Sequence, residues 1–191
     1  MTAITLRWRI HEGQITLRQR HLNALAPLDL PAPLMGWIHE RLEWAALNLL
    51  DQCSEGVLVL NIDPATEVVV SLEPLRETPQ LTLDNLLVVD GVITGAHIDG
   101  EQLEGVIFIE QSGVVQASAT RLVTAASTLA RDLLTTLGYA VELQPVDATD
   151  FSVSSVLLIS DEFGAVPLNL TNAADESAAV NRLRACFEKV F

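Results

Sequence analysis

The chain is 191 residues long, enough to bury a core as one large domain or two small ones. Hydrophobic residues make up 49% of it, which excludes a disordered chain, and 25 acidic against 11 basic residues give a net charge of −14, which argues against a nucleic-acid or anionic-membrane partner. No apolar run approaches the roughly 18 residues of a membrane helix, and charges interrupt the N-terminus MTAITLRWRIHEG, so a soluble, cytoplasmic protein is expected. Cys53 and Cys186 show no metal spacing and are expected to be reduced and structural.

Ile4, Leu6, Trp8 and Ile10 alternate with polar residues, and His11-Glu12-Gly13-Gln14 leads into Ile15-Thr16-Leu17; together they predict a hairpin with Gly13 in its turn. A short helix over Arg18 to Leu25 follows. Pro33 suits the start of the next helix, because its missing N–H would be an orphan donor there. Leu34, Trp37, Ile38, Leu42, Ala45, Ala46 and Leu49 recur at three- and four-residue spacing and predict one buried stripe, with Trp37 and Trp44 as packing residues rather than a binding platform. Gly56–Ile62 and Glu67–Leu72 read as paired strands joined at Asp63-Pro64. Pro74, Pro79 and the polar residues between them mark a linker, which divides the chain into units 1–78 and 79–191.

In the second unit Leu86–Val89 precedes a segment carrying Gly91, Gly95, Gly100 and Gly105. Val106–Ile109 and Val114–Gln116 predict a hairpin around Ser112-Gly113. Leu122, Ala125, Ala126, Leu129, Leu133 and Leu137 outline a long helix, and Gly138 stands where a left-handed cap belongs. Strands over Ala140–Val146, Val156–Ser160 and Val166–Leu170 lead to a last helix, capped by Asn172 or Asp175, with Ala179, Val180, Leu183, Phe187 and Val190 inside. The expected class is α/β (α+β) in two small subdomains.

Two stretches resemble the class IV aminotransferases, the fold type IV pyridoxal phosphate proteins that include aminodeoxychorismate lyase. Thr5–Gln14 followed by Leu17–Leu25 is similar to the family's E-T-x-R strand, hairpin and H-L-x-R-L helix. Leu129–Arg131, Leu137–Val141, Pro145-Val146, Asp150-Phe151, Val156–Ser160 and Gly164–Leu168 are similar, in that order, to its G-x-x-R helix, V-x-E strand, D-L turn and T-x-x-x-G-x-x-P-V strand. The middle, about Leu81 to Thr120, is shorter than the family requires. The resemblance implies the class IV fold and a homodimer.

Residue by residue, the family's chemistry is not carried over. Pyridoxal phosphate enzymes use a lysine to hold the aldehyde as an imine and to move protons at the substrate α-carbon. The only lysine here is Lys189, near the C-terminus, a position that reads as a surface charge. The phosphate-binding arginine of the H-L-x-R-L helix falls on Ala24, Ser160-Asp161-Glu162 stands where the phosphate-binding threonine strand ends, and the acidic partner of the pyridine nitrogen falls near Gln116 or Ala117. The expectation is therefore no catalytic residue, no cofactor-binding residue and no cofactor, with pyridoxal phosphate re-entering only if the lysine argument fails.

What remains is a basic group in an acidic chain. Arg7, Arg9, Arg20 and His21, together with Arg131, are the candidates for holding an anion such as a small carboxylate, which suits the planar fork of arginine; alternatively they pair with surface acids. His11 lies in the same cluster, whereas His39 and His97 show no metal or triad spacing. The reading is a shortened class IV-like protein that binds a small ligand or a protein partner instead of catalysing. A second reading treats the order from Glu104 onward as a roadblock- or longin-like dimerising module without enzymatic ancestry.

Overall fold

The computed structural model describes residues 3–28, 30–63, 67–89, 92–98, 100–111, 113–119, 124–145, 155–169 and 177–191. The chain forms two compact units, Met1–Glu77 and Thr78–Phe191.

In the first unit β1 (Ile4–His11) and β2 (Gln14–Ile15) form the hairpin, with Ile10 opposite Ile15 and His11 opposite Gln14. The loop residues Glu12 and Gly13 both have positive φ, 49° and 72°, as in the mirror-image turns whose twist matches that of the strands. β1 pairs antiparallel with β3 (Glu55–Asp63), which pairs with β4 (Glu67–Glu73), so the sheet runs β2-β1-β3-β4. The two-residue alternation of β1 places Trp8 and Ile10 in the core and leaves Thr5, Arg7, Arg9 and His11 on the opposite face. α1 (Arg18–Leu25) and α2 (Ala32–Asn48) complete that core, where Leu25, Leu34, Ile38, Leu42 and Ala45 meet Trp8, Leu58, Leu60 and Ile62. Pro33 lies in the first turn of α2.

One expectation for α2 is corrected. Trp37 and Trp44 are 48% and 45% exposed. Leu34, Ile38, Leu42 and Ala45 already fill the stripe facing the sheet, and the two tryptophans, seven residues apart, project from a neighbouring line along the helix.

The second unit has three layers. Its central sheet runs β10-β9-β8-β11-β12, from β8 (Val106–Gln111), β9 (Val114–Ala117), β10 (Val141–Leu143), β11 (Ser155–Ser160) and β12 (Gly164–Pro167). All neighbours are antiparallel except β10 with β9. Alternate residues of β8 and β11 serve two cores. Val106, Phe108, Leu157 and Ile159 pack with α3 (Ala125–Thr136) and α4 (Ala178–Phe187). Ile107, Ile109, Val156 and Leu158 pack with Ile93, Ala96 and Leu103 of a second sheet, β5 (Leu86–Val89), β6 (Val92–Ile98) and β7 (Glu101–Glu104). Burial on both faces is why VIFI and VLLI read as unbroken apolar runs instead of alternating ones.

The helix ends carry their own caps. The Thr124 hydroxyl accepts from Ser127 N–H at 3.1 Å, and Ser127 Oγ accepts from Thr124 N–H at 3.3 Å, a reciprocal box at the start of α3. Ser177 caps α4, accepting from Val180 N–H at 3.1 Å. The helix begins later than predicted, and Asn172 and Asp175 lie outside the described residues, as do Ser112, Leu122, Val146, Asp150 and Phe151. No helix among the described residues is long and apolar enough to cross a membrane.

Candidate ligand-binding site

The odd-numbered face of β1 gathers the basic residues of the first unit. Arg7 reaches across β3 to the Glu73 carboxylate at 2.7 Å, and Arg9 donates to Glu55 at 2.8 Å. His11 Nδ1 lies 2.6 Å from the other Glu55 oxygen. Desolvation pushes the Glu55 carboxyl upward, but the His11 hydrogen bond and the Arg9 charge outweigh it, and its pKa ends below the usual 4.5. Val57 and Val59 are buried on the same face, so the arginine stems have apolar surface to lie on while their heads find carboxylates. The Arg9 Nε–H is buried and has no acceptor among the described residues, which leaves donor capacity on that guanidinium beyond its bond to Glu55.

The other candidates are placed differently. His21 on α1 is buried and stacks on Trp8, with ring centroids 4.5 Å apart and planes 14° from parallel, so its ring forms part of the core. Arg20, next to it, is half-buried and engaged. Arg131 is in the second unit, on the exposed side of α3, where it meets the neighbouring Asp132 at 3.3 Å. The structure thus groups Arg7 and Arg9 on one strand face with His11, while Arg131 belongs to the second unit.

The second unit has an anion-directed feature of its own. The first amides of α3 point at Asp161, just past β11: Ala126 N–H donates to Oδ1 at 2.7 Å and Ala125 N–H to Oδ2 at 3.4 Å. A helix N-terminus favours negative charge through its unpaired amides and dipole, and here a side chain of the same chain supplies it. Glu104, at the end of β7, is raised above the usual 4.5 by desolvation of its carboxyl and by the Asp161 charge, although the residue as a whole is open to solvent. A raised carboxyl holds its proton more tightly in the folded state. Its penalty is therefore complete above the raised pKa and relieved as pH falls through it. Glu104→Gln is expected to raise the melting temperature at pH 7, and the gain should vanish below the ordinary value of 4.5.

Lys189 is exposed, two residues beyond the end of α4, with its N–H on Cys186 O at 3.3 Å. Among the described residues no cluster of three or more His, Cys, Asp and Glu is arranged to hold a metal.

No protein-family profile and no curated protein matches the chain, but solved structures do. A 4-amino-4-deoxychorismate lyase from Pseudomonas aeruginosa superposes with a TM-score of 0.68 at 13% identity, covering 98% of this chain and 90% of its own. An aminotransferase from Brucella abortus bound to the co-factor PLP gives 0.64 at 13% identity, covering 98% and 88%. A hypothetical aminotransferase from Mycobacterium tuberculosis, in an alpha-ketoglutarate and PMP bound form, gives 0.65 at 12% identity, covering 97% and 88%. The chain has the class IV aminotransferase fold.

Two expectations are corrected by these superpositions. The reading of no cofactor is overturned: proteins that match nearly the whole chain were solved with PLP or PMP bound, which points to pyridoxal phosphate. Individual cofactor contacts differ from the family pattern, whereas the superpositions extend over 98% of the chain. The roadblock- or longin-like alternative is not supported either, because the match extends through the first unit. For the covalent mode of that cofactor the residues do not fit, since no lysine other than Lys189 exists and the α3 amides already hold the Asp161 carboxylate. No reaction step follows through it.

Proposed function

We propose that this chain, built on the class IV aminotransferase fold, is a small-molecule-binding derivative that turns over no substrate through a lysine. The observation that carries the reading is the placement of its single lysine, Lys189, exposed and past the end of the last helix. A lysine acts as nucleophile when it is desolvated or flanked by another cation, and a solvated terminal ammonium is neither.

The ligand class is anionic, as with the alpha-ketoglutarate and PLP of the neighbours. In this reading Arg7 and Arg9 receive a ligand carboxylate in place of Glu73 and Glu55. The displaced Glu73 and Glu55 carboxylates, 44% and 42% exposed, can turn to water while the arginines keep an anionic partner. Arg9→Ala is expected to weaken 2-oxoglutarate binding at least tenfold by isothermal titration, in line with the roughly 1.5–3 kcal/mol of a hydrogen bond to a charged group.

Pyridoxal phosphate tests the absence of lysine chemistry. The expected result is a bound ligand that keeps its free-aldehyde spectrum and leaves no borohydride-trapped adduct. An imine absorbance that survives gel filtration and disappears in Lys189→Ala, with transamination alongside it, would overturn the reading.

The Asp161 carboxylate sets how well phosphate is received in the second unit. Asp161→Asn keeps an acceptor for α3 but removes the charge. It should strengthen inorganic phosphate binding by about tenfold, the removal of one like-charge contact worth more than about 1 kcal/mol. The same change should lower the Glu104 pKa toward 4.5, readable from its carboxyl carbon by NMR.

A further inference from the structure

Arg9 and Thr16 face each other across the first hairpin. Ile10 pairs with Ile15, and at the next position along the ladder Thr16 N–H donates to Arg9 O at 2.9 Å. Residues opposite one another in an antiparallel pair project to the same side of the sheet, with Cβ atoms about 5 Å apart. Ile10 and Ile15 take the core side, which leaves the Arg9 and Thr16 side chains together on the other face. Leu17, with a positive φ of 59°, then turns the chain out of the ladder and into α1.

The pair carries two unpaired polar atoms. Arg9 Nε and Thr16 Oγ1 are both closed to solvent, and neither has a hydrogen-bond partner among the described residues. Thr16 as a whole is 8% exposed, so its hydroxyl is buried at a cost that a methyl group of the same size would not incur. Glu55 does not complete the set. Its two oxygens are divided, one accepting from Arg9 Nη2 at 2.8 Å and the other lying 2.6 Å from His11 Nδ1. A guanidinium matches a carboxylate best through two parallel N–H bonds, and the internal carboxylate takes only one of them.

We propose that Thr16 is a ligand-binding residue of the β1 face: a ligand carboxylate displaces Glu55, accepts side-on from Arg9 Nη2–H and Nε–H, and takes a third hydrogen bond from the Thr16 hydroxyl on the oxygen beside Nε. This role rests on Arg9 receiving a ligand carboxylate, as proposed above, and names what completes the recognition. The subsite favours a planar anion with both oxygens free, which Glu55, shared with His11, is not.

Isothermal titration of 2-oxoglutarate into the full chain, alongside thermal melting, tests the role. Thr16→Val keeps the β-branched shape and removes the hydroxyl. Without ligand it should melt about 2–4 °C above wild type, because the unpaired buried group is gone. It should nevertheless bind 2-oxoglutarate about tenfold more weakly, the loss of one hydrogen bond to a charged group. Thr16→Ser restores a hydroxyl and should bind much as wild type does. A hydroxyl with a purely structural role would move the melting temperature and leave the affinity alone. Thr16→Val with wild-type affinity therefore overturns the proposal, and so does Thr16→Ser binding as weakly as Thr16→Val. If Arg9→Ala still weakens binding in those cases, the carboxylate site stands without Thr16. A wild-type chain that takes up no 2-oxoglutarate overturns the site and this role together.

Discussion

Trp8→Ala is expected to destabilise the protein by about 3–5 kcal/mol, the range for removing a buried large aromatic. Trp8 is 2% exposed, among the largest side chains of the first unit's core, and is surrounded by Ile10, Leu25, Ile38, Leu58 and Leu60. The hole would be large because both neighbouring layers are fixed: β1 is held by eight paired residues of β3, and α1 and α2 are anchored by their own buried leucines. The loss would also uncover His21, whose ring lies flat on the indole. Imidazole in contact with a cavity loses the stacking partner that makes its burial tolerable. Domains of this size are stable by about 5–15 kcal/mol, so the variant should lie at the edge of folding. Urea denaturation followed by far-ultraviolet circular dichroism measures the change. Trp8→Phe keeps an aromatic face over His21 and should recover more than half of it. In the wild-type chain the fluorescence red shift on unfolding should come from Trp8, since Trp37 and Trp44 are already half in water.

The first unit was legible because its elements state themselves locally. The alternation from Ile4 to Ile10, the Glu12-Gly13 turn and the boundaries of α1 depend on neighbours within a few residues, and they stand where the pattern put them. Trp37 and Trp44 were misread because a helical spacing tells which residues share a line, not how wide a strip the opposing sheet covers. In the second unit β8 and β11 were visible as apolar runs, while β6 and β7 were not. VITGAHI and EQLE contain glycine and charges, and they are strands only because β5 and each other supply their hydrogen-bond partners. Non-local pairing of that kind has no signature in composition.

The candidate site divides in the same way. Arg7 and Arg9 share a face by strand periodicity, which the sequence shows, but Glu73 as a partner two strands away requires the sheet order. Asp161 stood out as an unwelcome charge near a phosphate position; that it accepts the first amides of α3, thirty-five residues earlier in the chain, depends on the tertiary fold. Both sites have a common physical character. Each presents strong donors, guanidinium N–H groups in one unit and helix N-terminal amides in the other, and each has those donors engaged by the chain's own carboxylates. A ligand anion must therefore compete with an internal one, which lowers affinity without any change of fold.

Gly95→Ala is expected to cost on the order of 3 kcal/mol or more, combining backbone strain with overpacking. Gly95 lies in β6, the middle strand of the three-stranded sheet, paired with Leu87 on one side and Glu104 on the other, beside the register shift at Leu87/Val88. Its φ is 157°, and a Cβ placed there would stand 2.0 Å from the carbonyl oxygen of Leu103 and 3.1 Å from Cα of Glu104. The obstructing atoms are backbone, so no rotamer change relieves the clash. β7 would have to move as a whole, drawing Leu103, 3% exposed, out of the core shared with Ile107 and Leu158. At roughly 2–4 °C per kcal/mol for a chain of this size, the melting temperature should fall by about 10 °C. Gly36→Ala is the matched control: nothing lies within 4 Å of its added methyl group, and in the α2 helix alanine is favoured by about 0.5–1 kcal/mol. The same substitution should therefore stabilise one unit slightly and destabilise the other. If Gly95→Ala melts within a degree of wild type, β7 is free to shift, and the Glu104 carboxyl it carries would not be fixed beside Asp161.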